Sequence, residues 1–219
     1  MHASPQAPNP SRHRLAPPIP PAEGLTVEAD EIVFAERFAM QRVRFRYTRF
    51  DGTPSGPLTW ELWRRGGGVV VLPYDPRSDR VALIEQFRLP AHAAGLAGVQ
   101  VELPAGLLEP AEDPALAGTR ELAEEAGLEA RALEPIGRFL LMPGGCDELV
   151  HFYCAQVDLA AAAGTHGLPH ENEDTRLMIL AAEDAFARIG QGGLDGGPTA
   201  LALLWLQLNR ARLRAQWMR

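Results

Sequence analysis

The residues best suited to chemistry lie between positions 106 and 128, where carboxylates crowd around a single base, Arg120. Glu124 and Glu125 follow Glu121 by three and four residues, so that in a helix all three would project from neighbouring positions on one side. Like charges at this spacing repel, and the arrangement becomes favourable when divalent cations lie among them. Carboxylate oxygens that leave room for water and a substrate phosphate are the ligands that Mg²⁺ prefers. A solvated acidic helix face is the alternative.

Residues on both sides of these glutamates favour the start and the end of a helix. Asp113 is a capping residue, Pro114 suits the first helical position, and Gly127 favours the left-handed conformation that ends a helix. We therefore predict a helix over residues 114–126.

The full pattern is more specific than the cluster of charges. Constrained residue types stand at fixed separations: Gly106, five residues, Glu112, seven residues, then Arg120-Glu121-Leu122-Ala123-Glu124-Glu125-Ala126-Gly127-Leu128. This stretch resembles a complete Nudix box, the signature of the Nudix hydrolase family. The resemblance implies an α/β (α+β) fold, an αβα sandwich around a mixed sheet, and the metal-dependent hydrolysis of a nucleoside diphosphate linked to another group.

The resemblance also implies roles for residues of the box. Glu121 and Glu125 would be the main metal ligands. Glu124 would add a ligand or hold water beside the metal, and the backbone carbonyl of Ala105 would complete one metal site. Two residues would orient these carboxylates: Arg120 and Glu112. The implied cofactor is Mg²⁺, as two or three ions, with Mn²⁺ as an alternative.

Similarity to one branch of the family, the bacterial ADP-ribose pyrophosphatases, extends over residues 27–217. Beyond the box it is carried by four short stretches: 72–76, 83–88, 142–148 and 167–174. Pro143 lies close to the position where a proline marks this branch, and by resemblance it would contact the substrate. The resemblance implies that the substrate is ADP-ribose and that the products are AMP and ribose 5-phosphate.

A polar, glycine-bearing segment over residues 163–174 could move over a site and close it. By resemblance, Glu171 would act as general base on the attacking water and Glu173 would contact a metal. An exposed acidic loop without a catalytic part is the alternative.

Other residues are implied to contact the substrate. Arg88 would bind the diphosphate, for which a guanidinium is well suited, and Glu148 would accept hydrogen bonds from the terminal ribose. Trp60 could stack on the base, although a place in the core or in a dimer interface is equally open. The base therefore stays undetermined, and GDP-mannose or another ADP-sugar remains an alternative substrate.

The chain has three predicted parts: a proline-rich flexible leader (1–22), a small antiparallel sheet subdomain (23–65) and the Nudix domain (66–219). By resemblance, two subunits of a homodimer exchange the subdomain. Two helices are predicted near the C-terminus, over 182–189 and 198–218. The second would pack through one apolar stripe: Leu201, Leu204, Trp205 and Leu208.

Composition excludes several other functions. All 21 basic residues are arginines, which rules out a Schiff-base lysine and a lysine-bearing phosphate loop. A net charge of −7 gives no general attraction for nucleic acid. Cys146 and Cys154 lack zinc-type spacing and are predicted to be free thiols. Without a long apolar run or a signal-peptide pattern, the chain is expected in the cytoplasm, with no membrane partner.

Two other functions are alternatives to the hydrolysis of a nucleotide sugar. A Nudix domain that senses ADP-ribose-like ligands without turnover usually lacks a box glutamate and often carries a DNA-binding extension. The box is intact here, and the only extension is the leader. A mutator-type enzyme acting on oxidised nucleoside triphosphates is disfavoured by the N-terminal subdomain and by the loop that carries Glu171.

Overall fold

The computed structural model describes residues 17–191 and 194–218, so most of the predicted leader lies outside the described residues. Two compact units are present. The first unit comprises the described residues up to Gly66 together with Leu140–Leu149, and the second unit comprises Gly67–Phe139 and the chain from Val150 onward.

The first unit contains β1 (Leu25–Ala35), β2 (Ala39–Tyr47) and β3 (Leu58–Arg64). In chain order, the later elements are β4 (Gly67–Asp75), β5 (Arg80–Phe87), α1 (Leu89–Ala93), β6 (Val99–Glu102), β7 (Ala105–Leu107), α2 (Pro114–Ala126), β8 (Ala132–Leu140), β9 (Leu149–Gln156), β10 (Thr165–His166), β11 (Thr175–Ala181), α3 (Ala182–Arg188) and α4 (Gly197–Trp217). A single 3-10 turn, Pro169–Glu171, separates β10 from β11.

The first unit is built on an antiparallel sheet in the order β1-β2-β3. Alternate residues of its strands point to opposite faces. One face carries arginines that pair with glutamates, including Arg44 and Arg46 with Glu28. The other face is apolar and includes Val43 and Trp60, which lie opposite each other on β2 and β3.

The second unit is an eight-stranded sheet with helices on both faces. Its strand order is β10-β11-β5-β4-β9-β8, with β6 added beside β5 and β7 beside β4. Along β4, Val69 and Val71 belong to the core under α2, whereas Val70, Leu72 and Tyr74 belong to a second core with α3 and α4. This alternation is what a strand covered on both sides requires, and the predicted αβα sandwich is confirmed.

The predicted packing stripe of α4 is confirmed for two of its four residues. Leu201 and Trp205 are partly buried and pack against the core, whereas Leu204 and Leu208 are exposed. The buried face is formed by neighbouring positions instead: Thr199, Ala202, Leu203, Leu206 and Leu213. These positions lie three, four, seven and fourteen residues after Thr199, so they form one face of the helix. Because residues 200–206 are all apolar, the sequence did not show which face of α4 would be buried.

Other features follow the sequence more closely. Both cysteines are free and buried, as predicted. In the described ranges 17–191 and 194–218, no helix combines the length and the apolarity that crossing a membrane requires.

Candidate active site

Helix α2 carries the acidic cluster and has the bounds that its end signals predict. The Asp113 carboxylate accepts hydrogen bonds from the backbone N–H groups of Ala115 and Leu116, which caps the start. Gly127 adopts the left-handed conformation, with φ +63°, and ends the helix. The helix packs on β4 and β7, so its acidic residues lie beside the strand that begins at Ala105.

Arg120 holds three carboxylates together. Its Nε donates to Glu112 at 3.3 Å, and its Nη1 donates to Glu121 at 2.8 Å and to Glu124 at 2.9 Å. A guanidinium can serve several carboxylates at once because its donors are fixed in a planar fork. The arrangement agrees with the orienting role predicted for Arg120 and Glu112.

Glu125 is the most deeply buried of the acidic residues, with 1% of its surface exposed. Its Oε2 accepts a hydrogen bond from the backbone N–H of Ala105 at 2.7 Å. Burial raises the pKa of Glu125 to about 8, the Ala105 hydrogen bond opposes this rise, and the charges of Glu121 and Glu173 add to it. This carboxylate has little to balance its charge, so the metal-free site favours its neutral form.

Glu121 lies in a related environment. It is 7% exposed. Burial raises its pKa, the nearby charge of Arg120 lowers it, and the charges of Glu124 and Glu173 raise it further. Two buried glutamates one helical turn apart, both destabilised by the negative charge around them, are a donor set that suits a hard divalent cation.

The loop between β10 and β11 brings one of its two predicted residues to this cluster. Glu173 lies close enough for its charge to act on Glu121 and Glu125, and its Oε2 accepts from the backbone N–H of Leu168 at 3.4 Å. Glu171 is at the end of the 3-10 turn with an exposed side chain, 3.7 Å from His170. Its role as general base stays a prediction.

Arg88 follows β5 and belongs to the same cluster. Its Nε donates to Glu102 at 2.8 Å, and its positive charge lowers the pKa of Glu125. Glu102 is not among the residues predicted for the site. Its position beside the Leu-Pro-Ala-Gly stretch was the only signal that could have suggested it.

The other predicted contacts to substrate belong to the first unit. Trp60 is 48% exposed and meets the ring of Phe45 edge to face, with centroids 5.3 Å apart. Glu148 accepts from Arg65 Nε at 2.8 Å, and Pro143 is exposed. Their roles toward a substrate stay predictions.

The donor set fits the implied metal, but it is not already arranged as a coordination sphere. Within the part of the chain that the structure describes, no three His, Cys, Asp or Glu side chains are grouped to hold an ion.

Comparison with known protein families identifies the family of the chain that carries this cluster. The profile of the NUDIX domain matches residues 64–192, which include every residue of the acidic cluster. The chain belongs to the Nudix family. This match confirms the family that the sequence resemblance implied.

Several Nudix relatives are similar over most of their length. The ADP-ribose pyrophosphatase of Escherichia coli (strain K12) is 36% identical over 189 residues, covering 86% of this chain and 90% of the relative. The ADP-ribose pyrophosphatase of Haemophilus influenzae is 34% identical over 200 residues, covering 90% and 92%. A GDP-mannose pyrophosphatase of Escherichia coli is 30% identical over 186 residues, covering 84% and 96%.

A solved structure described as an ADP compounds hydrolase has the same fold as this Nudix protein. Its TM-score is 0.67 at 19% identity, and the match covers 90% of this chain and 98% of that one.

Proposed function

We propose that the protein hydrolyses the diphosphate of ADP-ribose, giving AMP and ribose 5-phosphate, with Mg²⁺ as its cofactor. The observation that carries the proposal is the pair of carboxylates on α2, Glu121 and Glu125, whose ionised forms are destabilised by burial and by nearby negative charge, with Glu125 bound to the Ala105 backbone N–H. The choice of ADP-ribose rests on the 36% identity to the Escherichia coli ADP-ribose pyrophosphatase.

Five groups would hold the metal ions, two or three in number: the side chains of Glu121, Glu124, Glu125 and Glu173 and the backbone carbonyl of Ala105. When bound, Mg²⁺ lowers the pKa of water and neutralises phosphate oxygens. Mn²⁺ has similar ligand preferences and is expected to replace it.

The chain's own side chains perform the remaining steps. Glu171 takes a proton from the water that attacks one phosphorus, and the bond from that phosphorus to the bridging oxygen breaks, so the other phosphate leaves. Because Arg88 donates to Glu102 through Nε, its two Nη groups stay available for the diphosphate. Arg120 keeps Glu121 and Glu124 in place as the substrate binds.

Three further residues are part of the proposal. We propose that Trp60 stacks on the base, that Glu148 accepts from the terminal ribose and that Pro143 lies beside it. We also propose a homodimer in which the first units are exchanged. Exposed apolar residues at the edge strand β1, such as Ile32 and Phe34, support an association that covers them. Location in the cytoplasm stays a prediction.

A second candidate substrate is GDP-mannose. It is favoured by the 30% identity to a GDP-mannose pyrophosphatase over 84% of this chain. The same metal ligands and base would serve either substrate, because the reacting group is a diphosphate in both. A non-catalytic ADP-ribose sensor fits less well, since no glutamate of the box is lost.

Selectivity between these substrates is the experiment that tests the proposal. The purified protein with Mg²⁺ is given ADP-ribose, GDP-mannose, ADP-glucose, NADH or a nucleoside triphosphate, and kcat/KM is measured for each. We expect ADP-ribose to exceed every other compound by at least about tenfold, which is about 1.4 kcal/mol of discrimination. A higher kcat/KM for GDP-mannose would replace the substrate. Tight ADP-ribose binding without turnover of any compound would favour the sensor.

A further inference from the structure

The loop that carries Glu171 and Glu173 is attached to the last turn of helix α2. The final carbonyls of a helix have no partner within the helix and need other donors. Here the loop supplies two of these donors. The backbone N–H of Gly167 donates to the Glu124 carbonyl at 2.9 Å, and the hydroxyl of Thr175 donates to the Glu125 carbonyl at 2.7 Å.

Thr175 is placed to serve as the fixed end of this loop. It is the first residue of β11 and is fully buried. It pairs with Gln86 on β5 on one side and with His166 on β10 on the other. Directly paired residues on neighbouring antiparallel strands point to the same face, so all three side chains face α2.

His166 forms the second part of the attachment. Its imidazole packs against Gly127, the residue that ends α2, so closely that a Cβ on Gly127 would overlap the ring. The glycine is therefore needed twice, for its left-handed conformation and for the close approach of the histidine.

Between His166 and Thr175 the loop is compact. A Cβ on Gly167, which has φ +103°, would meet the backbone oxygen of Glu173 at 2.8 Å. Leu168 N–H also donates to the Glu173 carboxylate at 3.4 Å. The start of the loop thus lies directly on the residue that is proposed to contact metal.

We propose that Thr175, together with His166, is a positioning residue that fixes the acidic loop to the C-terminal end of α2. We call the contacts of Thr175 and His166 with α2 the clamp. Through it, the main-chain positions of Glu124 and Glu125 determine where Glu173 and Glu171 lie. Movement of the loop during turnover is then confined to residues 168–174, because both flanking segments are held to the helix. The inference rests on the proposed function for its kinetic consequence, but not for its structural one.

The test compares Thr175→Val, which keeps the shape and loses the hydroxyl, with Thr175→Ser, which keeps the hydroxyl. Thr199→Val is the matched control, because Thr199 is also a buried threonine but lies on α4, on the opposite face of the sheet. For each variant, kcat and KM are measured with ADP-ribose, and Mn²⁺ binding without substrate is measured by electron paramagnetic resonance.

We expect Thr175→Val to lower kcat about tenfold, to leave KM within about twofold, and to weaken Mn²⁺ binding about fivefold. The reason is that Glu171 and Glu173 would be displaced from the geometry that the reaction requires. Thr175→Ser and Thr199→Val should stay within about twofold of the wild type in all three quantities. An unchanged kcat and Mn²⁺ affinity in Thr175→Val, or an equal loss in Thr199→Val, would overturn the proposal.

Two further measurements keep the inference testable in every case. If Thr175→Val does not fold, His166→Ala removes the other half of the clamp and should change kcat and Mn²⁺ binding in the same direction. Wild-type values in that variant would contradict the clamp.

If the wild type does not hydrolyse ADP-ribose, the proposed function fails by itself. Mn²⁺ binding and amide exchange of residues 168–174, which we expect to speed up in Thr175→Val, then decide on the clamp alone.

Discussion

The carboxyl group of Glu121 occupies the space where a Cβ at Gly106 would lie. Gly106 is the middle residue of β7, and Glu121 projects toward it from α2. Any side chain at position 106 would displace either the strand or the carboxylate. The glycine is therefore required by close approach, and it gives a physical reason for the first position of the Nudix box.

Substitution of this glycine tests how strictly Glu121 must be placed. We expect Gly106→Ala to lower kcat about 100-fold, because a displacement of about 1 Å at a catalytic group can cost that much. Gly197→Ala is the control, since a Cβ there meets no atom within 4 Å. Steady-state kinetics with ADP-ribose gives both values. A kcat for Gly106→Ala within threefold of the wild type would show that Glu121 need not stand where the structure places it.

The pKa of Glu125 predicts how the stability of the metal-free protein varies with pH. Burial raises this pKa from 4.5 to about 8, so the folded protein keeps a proton that the unfolded chain has released. The stability contributed by the neutral form is complete below pH 4.5 and is lost as the pH rises through about 8. Added Mg²⁺ should restore stability at high pH, because it binds the ionised form.

Glu125→Gln removes this ionisation while keeping a hydrogen-bond acceptor for Ala105. At pH 8.5 without metal, we expect the variant to melt about 4 °C or more above the wild type, with a small difference at pH 5. Glu129→Gln, at an exposed position just after α2, should follow the wild type. Thermal unfolding in EDTA measures all three proteins. Equal melting temperatures of the variant and the wild type at pH 8.5 would mean that Glu125 is ionised at little cost.

Arg120→Lys tests the bridging of the carboxylates. A lysine ammonium keeps the charge but cannot span three carboxylates in fixed directions. We expect kcat to fall about tenfold. The matched control is Arg131→Lys, because Arg131 forms a single exposed ion pair with Asp158. If both lysine variants retain wild-type kcat, the positive charge of residue 120 is sufficient and its geometry is not required.

Asp79 is predicted to matter for stability and not for activity. It adopts a left-handed conformation, with φ +56°. Its carboxylate accepts hydrogen bonds from Tyr74 and Arg210 and forms an ion pair with Arg214 at 2.9 Å, which connects the β4–β5 turn to α4. We expect Asp79→Ala to lose about 2–4 kcal/mol in urea unfolding, since two hydrogen bonds and an ion pair of this carboxylate are lost together. Asp79→Asn, which tolerates the conformation and keeps acceptor capacity, should lose less. An Asn variant as unstable as the Ala variant would contradict this explanation.

Much of the site could be predicted because its determinants are local. The cap at Asp113, the terminating Gly127 and the spacing of the glutamates all lie within one short stretch, and α2 begins and ends where they predict.

Elements that depend on distant partners were missed. Strands β7 and β10 have three and two residues, and they exist through their pairing with β4 and β11. Likewise, the sequence does not indicate that Leu140–Leu149 belongs with the N-terminal strands. That association is formed by long-range contacts such as Trp63 N–H to Gly145 O at 2.8 Å.

We propose that this chain hydrolyses ADP-ribose in a metal-dependent reaction that requires the buried glutamates of α2. The most direct test incubates the purified protein with ADP-ribose and Mg²⁺ and quantifies AMP and ribose 5-phosphate by chromatography, with parallel samples in EDTA and with Glu121→Gln and Glu125→Gln. We predict the two products in equal amounts, none in EDTA, and a loss of at least about 100-fold in both variants. Equal product formation in EDTA, or wild-type rates in both variants, would contradict the claim.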